Sequence, residues 1–229
     1  MHQPSISLLG VLIDEPVTTL TDLLVTVVCI YALMKLVGEK FQKKIYGFFR
    51  LYFLTLGIAT FLSGVVGHGF LYFFGLSWKL PGWLFGMFAV SFFVRASIES
   101  AQNIVSESVL KILRVANIVE LAIMACVVII SHNFYYVTLH SIFGMVLVVA
   151  SLNIYMYLLT RNKGSLLILL AICITAMSAI IFQNKWSFSP WYNHFDISHT
   201  LMAISVFYYY RASIFIESQS NFKVSVVRD

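Results

Sequence analysis

Seven runs of apolar residues, each about the length that an α-helix needs to cross a hydrocarbon layer, constrain this chain more than anything else in its sequence. They cover residues 17–37, 46–76, 82–100, 109–131, 135–160, 165–183 and 196–217. All are too long for strands and lack the in–out alternation of a barrel wall. Composition agrees: of 229 residues, 60% are hydrophobic and 11% charged, against about 25% charged in a soluble domain. So much apolar surface cannot be hidden inside a chain this size, so the bilayer must act as its solvent. The expected fold is all-α, a single seven-helix transmembrane domain over residues 1–229, with no linker long enough to divide it and no internal repeat.

The net charge of +5 does not indicate nucleic acid, because the basic residues occupy short connections between apolar runs, where they act as topology signals. Lys40, Lys43, Lys44 and Arg50 follow the first run, Arg95, Lys111 and Arg114 the third, Arg161 and Lys163 the fifth, and Arg211, Lys223 and Arg228 the seventh. The alternate connections hold only Lys79 and Lys185. The N-terminus is therefore expected outside, or in a lumen, and the C-terminus in the cytoplasm. Trp78, Trp83, Trp186 and Trp191 all fall at the outer side, as an interfacial aromatic belt does. Residues 1–17 carry Asp14 and Glu15 and no basic n-region, so they read as an extramembrane lead-in and not as a signal peptide. Cys29, Cys126 and Cys173 lie inside apolar runs, which is neither a disulfide framework nor a zinc-finger spacing.

Against this background the polar residues at the outer ends of the runs stand out, since such groups in a membrane mark functional sites. Residues 191–199 pack His194, Asp196 and His199 together. His68 lies near the outer end of the second run, Asp22 sits about 7 Å below the outer interface in the first, and His140 lies in the first turns of the fifth. In the second run Gly57, Thr60, Gly64 and His68 share one face. Small residues there let a neighbouring helix approach, and His68 is expected to point into the bundle. With Asp196 as helix N-cap, His194 falls outside the helix and is free to reach inward. Imidazole is the commonest zinc ligand, so the expected outcome is a zinc site on His68, His194 and His199, with Asp22 or Asp196 as base or as orienter of a histidine. Deeper in the bundle, Ser91, Arg95 and Glu99 stripe the third run and Arg114, Asn117 and Glu120 the fourth. Glu120 is expected to be neutral or paired with Arg95, in a network with Asn153.

Seven helices, an outer N-terminus, one histidine on the second helix and two at the start of the seventh resemble the CREST superfamily of membrane hydrolases, which includes the alkaline ceramidases and adiponectin receptors. The resemblance implies a zinc on His68, His194 and His199 that activates water to cleave a lipid amide or ester. It implies a role for Ser63 beside an aspartate, and calcium on the acidic cluster Asp14, Glu15 and Asp22. Membrane lipids would be partners and substrate. The chain departs from the family pattern at three points: Ser63 is five residues before His68 instead of four, the last histidines are separated by four residues instead of three, and the third run has no aspartate. A ligand set of His68, His199 and an aspartate is the alternative.

Two further classes compete. A b-type haem would use His68 with His140 or with His199 as axial ligands. A transporter would use a helix broken at the second-run glycines, and a structural membrane protein would use none of these residues chemically. A retinal protein is excluded, because residues 196–217 contain no lysine.

Overall fold

The computed structural model describes residues 3–38 and 44–217. Lys40, Lys43, Lys223 and Arg228, counted above for orientation, lie outside the described residues. The architecture is all-α apart from one small hairpin that the sequence reading did not foresee, β1 (Ile6–Leu8) and β2 (Val11–Ile13), paired antiparallel. Then follow α1 (Pro16–Gly38), α2 (Lys44–Leu62), the short α3 (Leu71–Phe74), α4 (Lys79–Ser100), α5 (Glu107–Ser131), α6 (Phe134–Ile142), α7 (Ser151–Thr160), α8 (Lys163–Gln183) and α9 (His194–Glu217). Among the described residues six helical rods are long and apolar enough to cross a membrane: Pro16–Val37, Lys44–Gly69, Leu76–Ser100, Glu107–Ser131, Phe134–Thr160 and Lys163–Gln183.

Two of these rods change their winding. Past Leu62 the α2 rod continues as a π-helical stretch, Ser63–Gly69, in which the Phe70 N–H donates five residues back to the Val65 carbonyl at 2.9 Å. Residues 143–150 likewise wind as a π-helix between α6 and α7. Such stretches cluster at functional sites, because the extra residue per turn re-aims side chains. The first turns Gly64, Gly67, His68 and Gly69 all inward. It also ends the second rod earlier than its apolar run, which extends to residue 76. Gly75, at φ +76°, makes the turn towards α4.

Helix starts follow local chemistry. The Asn133 side chain accepts the Tyr135 N–H at the head of α6, and Asn162 accepts the Gly164 N–H at the head of α8. At α9 the cap is Asn193, whose side chain accepts the Phe195 N–H at 2.8 Å, while Asp196 accepts the Asn193 N–H at 2.7 Å. This reciprocal box corrects the expectation that Asp196 is the N-cap: Asp196 stands three residues into the turn, and His194 is the first helical residue.

α1 packs against α2 and α9, α2 against α4, and α8 against α9, while α5 lies against α4 and α6. The α1–α2 contact runs along the small-residue face expected from the sequence. Thr26 and Thr60 hydroxyls meet at 2.8 Å, and a Cβ at Gly57 would stand 3.2 Å from Cys29 Cβ. A Cβ at Gly64 would stand 2.9 Å from Asp22 Cβ and 3.1 Å from the Thr19 carbonyl oxygen. Cys29 is buried here as a small apolar side chain. Lower in the bundle, Phe49, Tyr52, Phe93 and Tyr209 make edge and tilted ring contacts, with Tyr52–Phe93 centroids at 4.8 Å and Phe93–Tyr209 at 4.6 Å.

The two polar stripes on α4 and α5 do face each other. Arg114 Nε donates to Glu99 at 3.2 Å, and Asn117 donates to the Ser91 carbonyl at 3.2 Å. Glu120, however, pairs with His140 (2.7 Å) and not with Arg95, which lies 3.9 Å from Glu99. The reason is depth: Arg95 is one turn from Glu99 on α4, whereas Glu120 is level with α6. Asn153 bonds Ser97 and the Val149 carbonyl, apart from Glu120.

Gly64→Ala should cost about 1–3 kcal/mol, because the new methyl meets backbone and a Cβ that cannot rotate away. Gly47→Ala, with nothing within 4 Å of the added Cβ, should be neutral or slightly stabilising. Thermal midpoints of the two variants in one detergent check this, and an unchanged Gly64→Ala midpoint would refute the close contact.

Candidate functional site

The π-helical turn delivers His68 to the point where α1, α2 and α9 meet. His68 Nδ1 is hydrogen-bonded to Glu15 Oε2, and its Nε2 lies 3.9 Å from Asp22 Oδ2. From the opposite side, His199 Nε2 lies 3.5 Å from Asp22 Oδ1, and its Nδ1 is 3.3 Å from the Thr21 hydroxyl. The two imidazole centroids are 6.0 Å apart. Asp22 is almost completely buried, and its Oδ2 has no hydrogen-bond partner. Ser63, at the start of the π-helical turn, turns its hydroxyl to the Asp22 carboxylate. Thus Asp22, His68, His199 and Ser63 are brought together as expected.

His194 and Asp196 are not part of this convergence. His194 turns to the loop between α8 and α9, its Nδ1 3.4 Å from the Ser187 hydroxyl, and its ring packs on Phe182 and Phe195. As the first residue of α9 it cannot reach inward as a free loop residue could. Asp196 is fully engaged: Thr18 donates to Oδ1 at 2.8 Å, and the Asn193 N–H donates to Oδ2. Gln3 completes this girdle. Its Nε2 donates to the Trp191 carbonyl at 2.9 Å and lies 3.4 Å from Asp196, while its Oε1 accepts the Val17 and Thr18 N–H groups at the head of α1. Asp196 therefore fastens α1 to α9 and has no free oxygen with which to act as a base.

The acidic trio is also divided. Asp14 accepts the Tyr72 N–H at 2.8 Å, Glu15 holds His68, and Asp22 lies between the two histidines. Three carboxylates committed to three different partners do not form an oxygen cage for calcium. His140 has both ring nitrogens occupied, Nδ1 by Glu120 and Nε2 by the Met87 carbonyl at 3.0 Å, so it offers no lone pair to a haem.

Among the described residues, no three His, Cys, Asp or Glu side chains stand ready-spaced as a metal cage. His68 and His199 each direct Nε2 towards the Asp22 carboxylate. Two ligands of one tetrahedral zinc lie about 3.4 Å apart, close to the 3.5 and 3.9 Å separations here. Each imidazole also has its far nitrogen held by an oxygen, as metal-binding histidines do.

The cluster heads a cavity of about 450 Å³, within the usual range for small-molecule sites. Asp22, Ser63, His68, Lys79 and His199 line it at one end. It runs along α9 to Tyr209, about 15 Å further down at 1.5 Å per residue, and Tyr52 closes the same deep end. Between these ends the lining is largely apolar, including Leu56, Val90, Phe134, Val137, Met202 and Val206.

The match to other chains spans nearly everything described above: the model of a family of unknown function, DUF6962, covers residues 17–218. The chain belongs to this family. No curated protein matches it, and no solved structure does. The DUF6962 segment contains Asp22, Ser63, His68, Lys79 and His199, while Gln3, the hairpin and Glu15 lie before it.

Sequence reasoning missed two functional residues. Glu15 was assigned to calcium, yet it is the residue that orients His68; its position just before the helix-starting Pro16 was the available signal. Lys79 was counted only as a topology charge, yet it lines the cavity and places its positive charge near both Glu15 and Asp22.

Asp196→Ala removes the acceptor of Thr18 and of the Asn193 N–H, and should cost about 1–3 kcal/mol. Asp196→Asn, which keeps one acceptor oxygen, should cost less. Thermal midpoints rank the two, and equal midpoints for Asp196→Ala and the wild type would remove Asp196 from the α1–α9 junction.

Proposed function

We propose that this chain is a seven-span integral membrane protein and a metal-dependent hydrolase of a lipid amide or ester. Its zinc would be held by His68, His199 and Asp22, and α9 would form the seventh span. α9 is 24 residues long, about 36 Å, and is less apolar than the other rods because it begins at His194 and carries Asp196, His199 and a run of tyrosines into the bundle interior. The excess of Lys and Arg on alternate connections supports an outer N-terminus and a cytoplasmic C-terminus. A tag at the C-terminus accessible only from the cytoplasmic side tests that orientation.

One observation carries the hydrolase reading. Both histidines direct Nε2 at one buried carboxylate while both Nδ1 atoms are held elsewhere, at the head of an apolar cavity. A zinc ion there would act as a Lewis acid and lower the pKa of a water to about 7. The chain's own residues do the rest. Glu15 and Thr21 fix the two imidazole orientations. Ser63 presents a hydroxyl to a scissile carbonyl at the cavity head, beside the Asp22 carboxylate that would hold the metal. The apolar walls hold an acyl chain and keep bulk water away from its far end. Lys79 offsets the negative charge of Glu15 and Asp22, which would otherwise repel an electron-rich carbonyl.

Protein purified without chelators should carry about one zinc per chain by elemental analysis. His68→Ala, His199→Ala and Asp22→Ala should each lose it, while His194→Ala should keep it. Cleavage of fluorogenic lipid amides or esters should fall with the metal and return when zinc is restored. Wild-type protein without stoichiometric zinc, or with a zinc content indifferent to His68→Ala, overturns the proposal. Loss in His68→Ala, His199→Ala and His194→Ala, with Asp22→Ala keeping the metal, would instead favour the three-histidine set.

A further inference from the structure

The β1–β2 hairpin has a composition that water does not explain. Leu8 pairs with Val11, Ser7 with Leu12 and Ile6 with Ile13, so the connection is the two-residue loop Leu9–Gly10. Directly opposed residues share a face. One face of the hairpin is therefore apolar throughout, Ile6 and Leu8 against Val11 and Ile13, and Ser7 is on the other. Ile6 and Ile13 are partly covered at the base, while Leu8, Leu9, Val11 and Leu12 are 58%, 98%, 46% and 41% exposed.

The turn itself sharpens the point. Leu9 has φ +53° and Gly10 φ +80°, the pair of positive angles that a type I′ turn requires. Gly suits its position. The preceding position is ordinarily Asn or Asp, whose short polar side chains tolerate the left-handed region. Here a leucine occupies it, so the chain accepts backbone strain and almost complete exposure of a large apolar side chain at one point.

The hairpin is not a loose end. The Asp14 N–H donates to the Gly69 carbonyl at 3.0 Å, and the Asp14 carboxylate accepts the Tyr72 N–H. Gln3 ties the strand preceding it to the heads of α1 and α9. The tip is thereby held at the end of the bundle where α1 begins and the second rod ends. On the same rim Tyr72, Phe73, Leu76 and Trp78 are exposed, residues of the type that occupy a membrane–water boundary. Leu20, Leu24 and Val27 continue the exposed apolar surface down α1.

We propose that this hairpin is a lipid-surface anchor: Leu8, Leu9 and Val11 insert into the interfacial region of the leaflet at the N-terminal end of α1, while Leu12 shares the opposite face with Ser7. The occupant is lipid and not a second protein, because the apolar tip is continuous with an aromatic rim and with the exposed face of a membrane-crossing rod. The anchor uses none of the residues of the proposed zinc site and does not depend on that site being catalytic. It ends at Ile13, two residues before Glu15, the carboxylate that holds His68.

The test uses the full chain in phosphatidylcholine vesicles, with Cys126→Ser and Cys173→Ser leaving only the buried Cys29. An environment-sensitive fluorophore is attached at Leu9→Cys or, on the other face, at Ser7→Cys. Lipids with a nitroxide high on the acyl chain, and iodide present on both sides of the membrane, serve as quenchers. The Leu9→Cys probe should be quenched by the nitroxide lipid and several-fold less by iodide than the Ser7→Cys probe. Equal iodide quenching at both positions with no nitroxide effect overturns the proposal and leaves the tip in water. Shielding of Leu9→Cys from both quenchers, lost as the protein is diluted in lipid, overturns it in favour of a second copy seated on the tip.

Discussion

The close approach of α1 to α2 is the contact on which the rest depends. Gly57, Thr60 and Gly64 leave no bulk on the facing side of α2, so the backbone of α1 comes within reach of Gly64 at Thr19 and Asp22. Only at that separation does the Asp22 carboxylate enter the space between His68 and His199. A larger residue at position 64 would push α1 outward and take the carboxylate with it. The π-helical winding of Ser63–Gly69 is the second half of the same arrangement. It ends a straight α-helical register just where His68 has to turn towards α1 and α9, and it places Ser63 on the same carboxylate.

An apolar bundle tolerates polar groups only where each finds a partner, and this chain solves the problem in three different ways. At the deep cluster, Arg114, Arg95 and Lys44 surround one buried carboxylate, Glu99. On the α5–α6 side, Glu120, His140 and the Met87 carbonyl form a chain in which the imidazole is saturated. Each of these networks leaves one buried polar atom without a partner, Arg95 Nε in the first and Glu120 Oε1 in the second. At the Asp22 cluster Oδ2 likewise lacks a partner, but here two imidazole nitrogens face one carboxylate, His68 Nε2 at 3.9 Å from Oδ2 and His199 Nε2 at 3.5 Å from Oδ1, and a cavity opens beside it. Unsatisfied polar atoms at the polar end of an apolar cavity are what a binding site looks like before its ligand arrives.

The cavity explains why the polar groups are segregated. Its deep end is closed by Tyr52 and Tyr209, which belong to the ring cluster with Phe49 and Phe93. On the proposed reading, a ligand would lie with its polar part at the Asp22 end and its apolar part against α4, α6 and α9. That polarity matches an acyl chain with a polar head better than a compact polar solute, and it accounts for a site assembled at one end of the bundle and not at mid-depth.

The sequence by itself determined the helical class, the rod boundaries to within a few residues, the packing face of α2 and the inward aim of His68. Each of these follows from local periodicity and from the cost of polar groups in an apolar setting, which act on neighbouring residues. It did not determine the second rod's early end, because π-winding depends on what α1 offers to the turned residues. It also did not determine partners. Glu120 could be placed at mid-depth from sequence, but whether Arg95 or His140 met it depended on how far α5 is shifted along α4, which sets Asn117 beside Ser91 and Glu120 level with His140. Residues 191–199 looked like one ligand-bearing stretch, and only the tertiary structure divided them. The Asn193–Asp196 box sets the helix phase, so that His199 turns to Asp22, Asp196 locks α1, and His194 turns to the loop between α8 and α9. Helical phase and interhelical distance are properties of the packed bundle, and they decided which of the sequence's polar residues share a site.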